Sequence, residues 1–167
     1  MMYLLLVWVH ILVASVWVGG QAFYLLVLIP LGRTPEFAGH ALSLIRQTGG
    51  RFRIVSWVCF ALLLLSGGGC LHYRGVGPGD LTSMDFWASG FGTLLAIKLA
   101  LILFLLTLNG LHDFVVGPRA TRLWEQDVAG EKTMAARRAA ARLGRISVLI
   151  TLMIVLVAVR LVRGGVW

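Results

Sequence analysis

Four side chains in this sequence could hold a metal ion or anchor a cofactor: His10, Cys70, His72 and Lys98. Imidazole and thiolate are good transition-metal ligands. A lysine inside an apolar run is a costly charge that calls for a partner. His10 opens the stretch HILVASVWVGGQAFY, in which His10, Ala14, Trp17, Gln21 and Tyr24 step by four, three, four and three. On a 3.6-residue period these five form one stripe of a helix. Lipid favours aliphatic side chains, so a stripe of this chemistry must face protein or an internal cavity. His10, Trp17, Gln21 and Lys98 are therefore the candidate cofactor-binding residues. His10, His72 and Cys70 are the candidate metal ligands.

The elements that position them are membrane helices. Of the 167 residues, 59% are hydrophobic, whereas soluble domains run about 45–50% even with glycine counted. A span needs ~20 mostly apolar residues to cross ~30 Å of hydrocarbon. Four stretches qualify, at 3–29, 54–73, 86–112 and 146–162, joined by loops 31–53 and 113–145. The prediction is an all-α polytopic membrane protein, a four-transmembrane-helix bundle forming one membrane domain over 1–167. Pro30 and Gly32 end the first helix, Gly49-Gly50 closes a short amphipathic segment, and Pro118 stops the third helix. The Ala/Arg-rich EKTMAARRAAARLGR is expected to run straight into the fourth span. No sequence repeat of 20–50 residues is legible. A cleaved signal peptide would carry a basic n-region before a 7–15-residue apolar core. No Lys or Arg precedes Arg33, so the first stretch reads as a span.

The formal net charge is +8, and its placement explains it without nucleic acid. Loops 31–53 and 113–145 together hold eleven Lys and Arg, against three (Arg74, Arg160 and Arg163) on the other side. The positive-inside rule puts both long loops in the cytoplasm and both termini outside, with the basic surface against anionic headgroups. That orientation converts positions into depths. His10 lies about seven residues and Lys98 about eight residues below the outer surface, or ~10 and ~12 Å. Cys70 and His72 end the second span at the same surface. Lys98 then lines a polar cavity opposite His10, in the outer third of the bundle, or snorkels outward to Asp85 or the headgroups. Cys59 and Cys70, eleven residues apart on one helix, are ~16 Å apart and stay free thiols. No paired carboxylates, nucleophilic serine, CxxC or phosphate loop appears, so hydrolase chemistry has no support. The roles of His112 and Asp113, at the end of the third span, are left open.

The segments HILVASVWVGGQAFYLLVLIP, RFRIVSWVCFALLLLSGGG and FGTLLAIKLALILFLLTLNGLHDFVVGPR together resemble the CopD-like (copper resistance D) integral membrane domain family. The shared pattern is His10 with Trp17-Val18-Gly19-Gly20, then Ser66-Gly67, then Phe91-Gly92 running to Lys98. The resemblance implies copper uptake or homeostasis at the bacterial inner membrane. Its bound species is copper ion, and its partners are the lipid bilayer with a periplasmic metal-binding protein or a larger membrane complex. A related pattern belongs to the HemJ-type protoporphyrinogen oxidases, small four-helix membrane proteins that bind haem b; His10, Trp17, Gly20, Phe23, Tyr24 and Lys98 fit it. Those proteins continue with Leu-Pro-Arg where this chain has Leu25-Leu26-Val27, which counts against the oxidase activity and leaves haem b as the alternative cofactor. A non-catalytic accessory subunit of a larger membrane complex is the third reading.

Overall fold

The computed structural model describes residues 1–163, and every regular element among them is helical. In chain order these are α1 (Met2–Leu31), α2 (Pro35–Ala38), α3 (Ala41–Tyr73), α4 (Pro78–Thr82), α5 (Met84–Ala88), α6 (Gly90–Gln126) and α7 (Glu131–Val162). Four of them, α1, α3, α6 and α7, are long and apolar enough to cross a membrane. Hydrocarbon offers no hydrogen-bond partner, so a spanning backbone must satisfy itself as helix. The chain is an all-α polytopic membrane protein. Leucines such as Leu26 and Leu65 point outward, as lipid-facing residues should.

The chain divides into two compact units, Met1–Gly77 and Pro78–Trp167. In the first, α1 packs antiparallel along α3. The contacts run in opposite directions along the two helices: Leu6 meets Gly69, His10 meets Ser66 and Gly67, Trp17 meets Phe60, and Tyr24 meets Phe52. In the second, α6 packs along α7, with Asn109 Nδ2 donating to Ser147 Oγ at 3.4 Å. The chain turns between them on Asp127, whose carboxylate accepts from the Ala129 and Gly130 amides at 3.1 and 3.0 Å. Thr133, buried at the start of α7, donates to the Leu123 carbonyl at 3.0 Å. The Arg137 guanidinium lies 3.6 Å above the Trp124 ring.

The two units repeat one plan. Each opens with 22 residues of α-helix, Met2–Phe23 or Gly90–Leu111, followed by a five-residue π-helical turn, Tyr24–Leu28 or His112–Val116. A proline follows each turn, Pro30 or Pro118. Each unit closes on a long helix, of 33 residues in α3 and 32 in α7. The buried positions repeat as well. Trp17 and Leu105 are each 4% exposed. At constant spacing, Ser56, Cys59 and Phe60 of α3 are matched by Ser147, Ile150 and Thr151 of α7, all buried. Lys98 stands in its unit where His10 stands in the first, and Asn109 stands where Gln21 does. A search for repeats of 20–50 residues misses this one because the repeating unit is half the chain.

Helix ends differ from expectation in three places. Gly49-Gly50 does not close a separate segment, because α3 runs unbroken from Ala41. Glycine within a helix costs only ~1 kcal/mol against alanine, and contacts of Phe52 with Tyr24 and Gly20 tie that stretch to α1. Pro118 does not stop the third helix, which continues to Gln126. A proline lacks an N–H and crowds the carbonyl four residues back. Here that carbonyl, of Phe114, lies in the π turn, where Gly117 N–H already bonds His112 O. The ladder has shifted before the proline arrives. Finally, α6 starts at Gly90 rather than at 86, because Ser89 is extended and caps it, its Oγ accepting from the Gly92 amide at 3.0 Å. The Ala/Arg-rich segment does run into the fourth span as one helix, α7.

Candidate functional site

The α1–α3 seam carries, near the start of α1, a side-chain hydrogen bond between two spans. Glycines admit it: a Cβ at Gly67 would come within 3.3 Å of His10 Cε1, and one at Gly69 within 2.9 Å of Leu6. Beside them Ser66 is 3% exposed. Its Oγ donates to the Leu62 carbonyl at 2.6 Å, and lies 2.8 Å from His10 Nδ1. A hydroxyl has one proton, and Ser66 has committed its own to Leu62. With its proton on Leu62, Ser66 accepts from His10, and that arrangement corresponds to the Nδ1–H tautomer with the lone pair on Nε2. Metal-binding histidines are oriented in this way, with the second ring nitrogen donating to a neighbouring oxygen.

Cys70 lies four residues beyond Ser66, on the same face of α3 and about 6 Å further along its axis. It is half-buried and forms no disulfide. His72 lies two residues further on, roughly 200° around the helix from Cys70, exposed and edge-on to Tyr73 with centroids 5.7 Å apart. Among the described residues, no three His, Cys, Asp or Glu side chains gather closely enough to hold a metal ion. His10 and Cys70 thus share the seam, while His72 sits on the other side of α3. Cys59, a buried free thiol one heptad before Ser66, falls on the seam face too.

Below His10 the stripe is a packing face. Trp17 meets Phe60 edge-on with centroids 4.8 Å apart, and the Tyr24 ring lies 4.9 Å from that of Phe52. Gln21 lies half-buried between them. One polar atom of this face, Trp17 Nε1, is buried with no hydrogen-bond partner in the protein. Thr48 is the hydroxyl partner of Tyr24; it donates its own proton to the Leu44 carbonyl at 2.6 Å and so can accept from the tyrosine.

Lys98 lies half-buried in α6, in the second unit. At the far end of that helix His112 Nδ1 and Asp113 Oδ1 are 3.0 Å apart, and the Asp113 side chain is 14% exposed. Two features escaped the sequence reading. Ser66 was legible only as part of a Ser-Gly helix end, although a lone hydroxyl among glycines on the stripe's partner helix was a usable signal. The His112–Asp113 pairing lies within a π turn, which no local pattern announces.

A family model described as copper resistance protein D, CopD, matches residues 46–161. The match takes in Ser66, Cys70, His72 and Lys98, and begins after α1. No curated protein and no solved structure matches the chain.

Proposed function

The chain belongs to the copper resistance protein D family, and from that membership we propose that it handles copper, as uptake or homeostasis, at the bacterial inner membrane. Copper is its cargo, met at the outer end of the first unit. Cu(I) is soft and favours thiolate and imidazole. His10 Nε2 and the Cys70 sulfur supply that donor set, and His72 stands at the rim as a first contact. The basic loops set the outer end towards the periplasm, where a metal-binding protein is the natural donor of the ion. Lys98, a lysine within an apolar helix, belongs to the same function. The observation that supports this reading is the Ser66–His10 hydrogen bond, since it ties the His10 ring to the stretch of α3 that carries Cys70.

Metal analysis and an absorption spectrum of detergent-purified protein test it. Bound copper without a Soret band, lost in His10→Ala and lowered in Cys70→Ser, is the expected result. A Soret band with stoichiometric iron, lost in His10→Ala but unchanged in Cys70→Ser, selects haem b instead, with His10 as its axial base. If neither substitution changes any bound species, the site is not at His10.

A further inference from the structure

We propose that one exposed face of α7 binds an anionic lipid with two phosphates in its headgroup. Arg138, Arg142, Arg145, Leu149, Leu152 and Leu156 step by four, three, four, three and four. On a helix they form one stripe, and all six are exposed. The stripe runs across α7 from Ser147 and Thr151, which are buried. Its first three residues carry guanidinium groups and its last three are leucines. The change falls at the start of the apolar run that opens with Ile146. A lipid has the same order, phosphate first and acyl chain after it. A soluble acidic partner would match the arginines but not the leucines below them.

The helix fixes the height of each charge. Because α7 is continuous from Glu131 to Val162, Arg145 stands at the hydrocarbon edge, with Arg142 ~5 Å and Arg138 ~10 Å above it. The headgroup layer is about 5–7 Å deep on each side. Arg142 and Arg145 therefore lie within it and Arg138 at its outer edge. Guanidinium forks bind phosphate oxygens bidentately. Three of them spread over ~10 Å exceed what one phosphate can use, and suit two. Carboxylates do not compete for them. From Lys132 to Trp167 the sequence has no Asp or Glu. Among the described residues, none of the three arginines forms an ion pair with another side chain. Arg138 Nε donates to the Met134 carbonyl at 3.3 Å, which leaves its two terminal nitrogens for a ligand. Arg137, next to it in sequence, is a contrast, with its guanidinium over the Trp124 ring. Lys132 is exposed but stands ~20 Å above Arg145, beyond the ~8 Å reach of a charge in physiological salt. The site stands whether or not copper binds at His10.

Native mass spectrometry of the full-length protein in detergent micelles tests it, with diphosphatidylglycerol, phosphatidylglycerol or phosphatidylcholine titrated in. Wild type should hold diphosphatidylglycerol more tightly than either of the others. Arg138→Gln, Arg142→Gln and Arg145→Gln together should weaken that binding about 100-fold, and Arg142→Gln alone about 5-fold, as for charges at a membrane surface. Lys132→Gln should bind as wild type does. Inorganic pyrophosphate at the same concentration should not displace the lipid, because it lacks acyl chains. A triple variant or an Arg142→Gln protein that binds as tightly as wild type overturns the proposal. So does equal binding of phosphatidylcholine. Displacement by pyrophosphate also overturns it, since the ligand is then a free anion. Equal binding of phosphatidylglycerol overturns the two-phosphate headgroup.

Discussion

His10 Nδ1 and Ser66 Oγ, on facing helices of the first unit, lie 2.8 Å apart, and the serine proton is already given to the Leu62 carbonyl. This arrangement does two things. It ties α1 to α3 at a depth where hydrocarbon cannot compete for the hydrogen bond. With the serine proton on Leu62, it also favours the Nδ1–H tautomer of the imidazole. Neither follows from His10 alone. Both need a small hydroxyl whose own proton is engaged elsewhere, and glycine beside it.

Ser66→Ala should therefore weaken copper binding without abolishing it. The alanine fits the space and keeps the helix, but leaves Nδ1–H without its acceptor and the ring free to turn. Loss of such outer partners typically lowers metal affinity about 10–100-fold. His10→Ala should abolish the binding. Competition titration with a Cu(I) chelator measures both, and an unchanged affinity in Ser66→Ala would show that the hydrogen bond is packing only.

A second expectation concerns the start of α6. A Cβ at Gly92 would run into the Phe86 carbonyl, whereas one at Gly90 meets nothing within 4 Å. Gly92→Ala must push α5 off α6, and should cost about 1–3 kcal/mol, as overpacking does. Gly90→Ala should stay within about 0.5 kcal/mol of wild type. Thermal or denaturant unfolding of the two variants side by side checks the contrast. Equal stability would mean that α5 moves freely.

How much of this was legible in the sequence depends on which force decided each feature. The spans were, because twenty apolar residues have one solution in lipid. The stripe from His10 to Tyr24 was too, as a face that turns from lipid. Its partner was not: a period identifies a face but not what covers it, and much of this one packs on Phe60 and Phe52 of α3. Helix ends were least legible. Gly49-Gly50 and Pro118 carry stop signals in water, yet α3 is held by its contacts with α1, and a π turn absorbs the proline in α6. The repeat of the two units was hidden for a related reason. Helix lengths, π turns and buried positions recur, while the residues filling them differ, as with Trp17 and Leu105.

The topology follows from charge alone, and so needs its own measurement. With eleven basic residues in loops 31–53 and 113–145, both loops should be cytoplasmic. In a background lacking Cys59 and Cys70, a Gly130→Cys protein in intact cells should resist a membrane-impermeant thiol reagent and react once the cells are opened. Labelling in intact cells would reverse the orientation. The end of the first unit that holds His10 and Cys70 would then face the cytoplasm, and export would replace uptake as the direction to test.

Lys98 gives the sharpest prediction. A lysine at the centre of a span costs ~2.5–3.5 kcal/mol on insertion scales, and Lys98 occupies in the second unit the place His10 occupies in the first. Lys98→Met keeps the length and removes the charge. If Lys98 serves the copper function, this variant should insert more easily yet lose copper binding or transport. If Lys98 only reaches the headgroups, the variant should insert better and stay active. Lys98→Arg separates the cases further. A headgroup contact tolerates guanidinium, whereas a confined anchor does not, because the group is planar and stays charged. Copper uptake into proteoliposomes, compared with the inserted fraction of each variant, reads both outcomes. A Lys98→Met protein that is fully active and more stable than wild type would remove Lys98 from the function and leave the first unit to carry it.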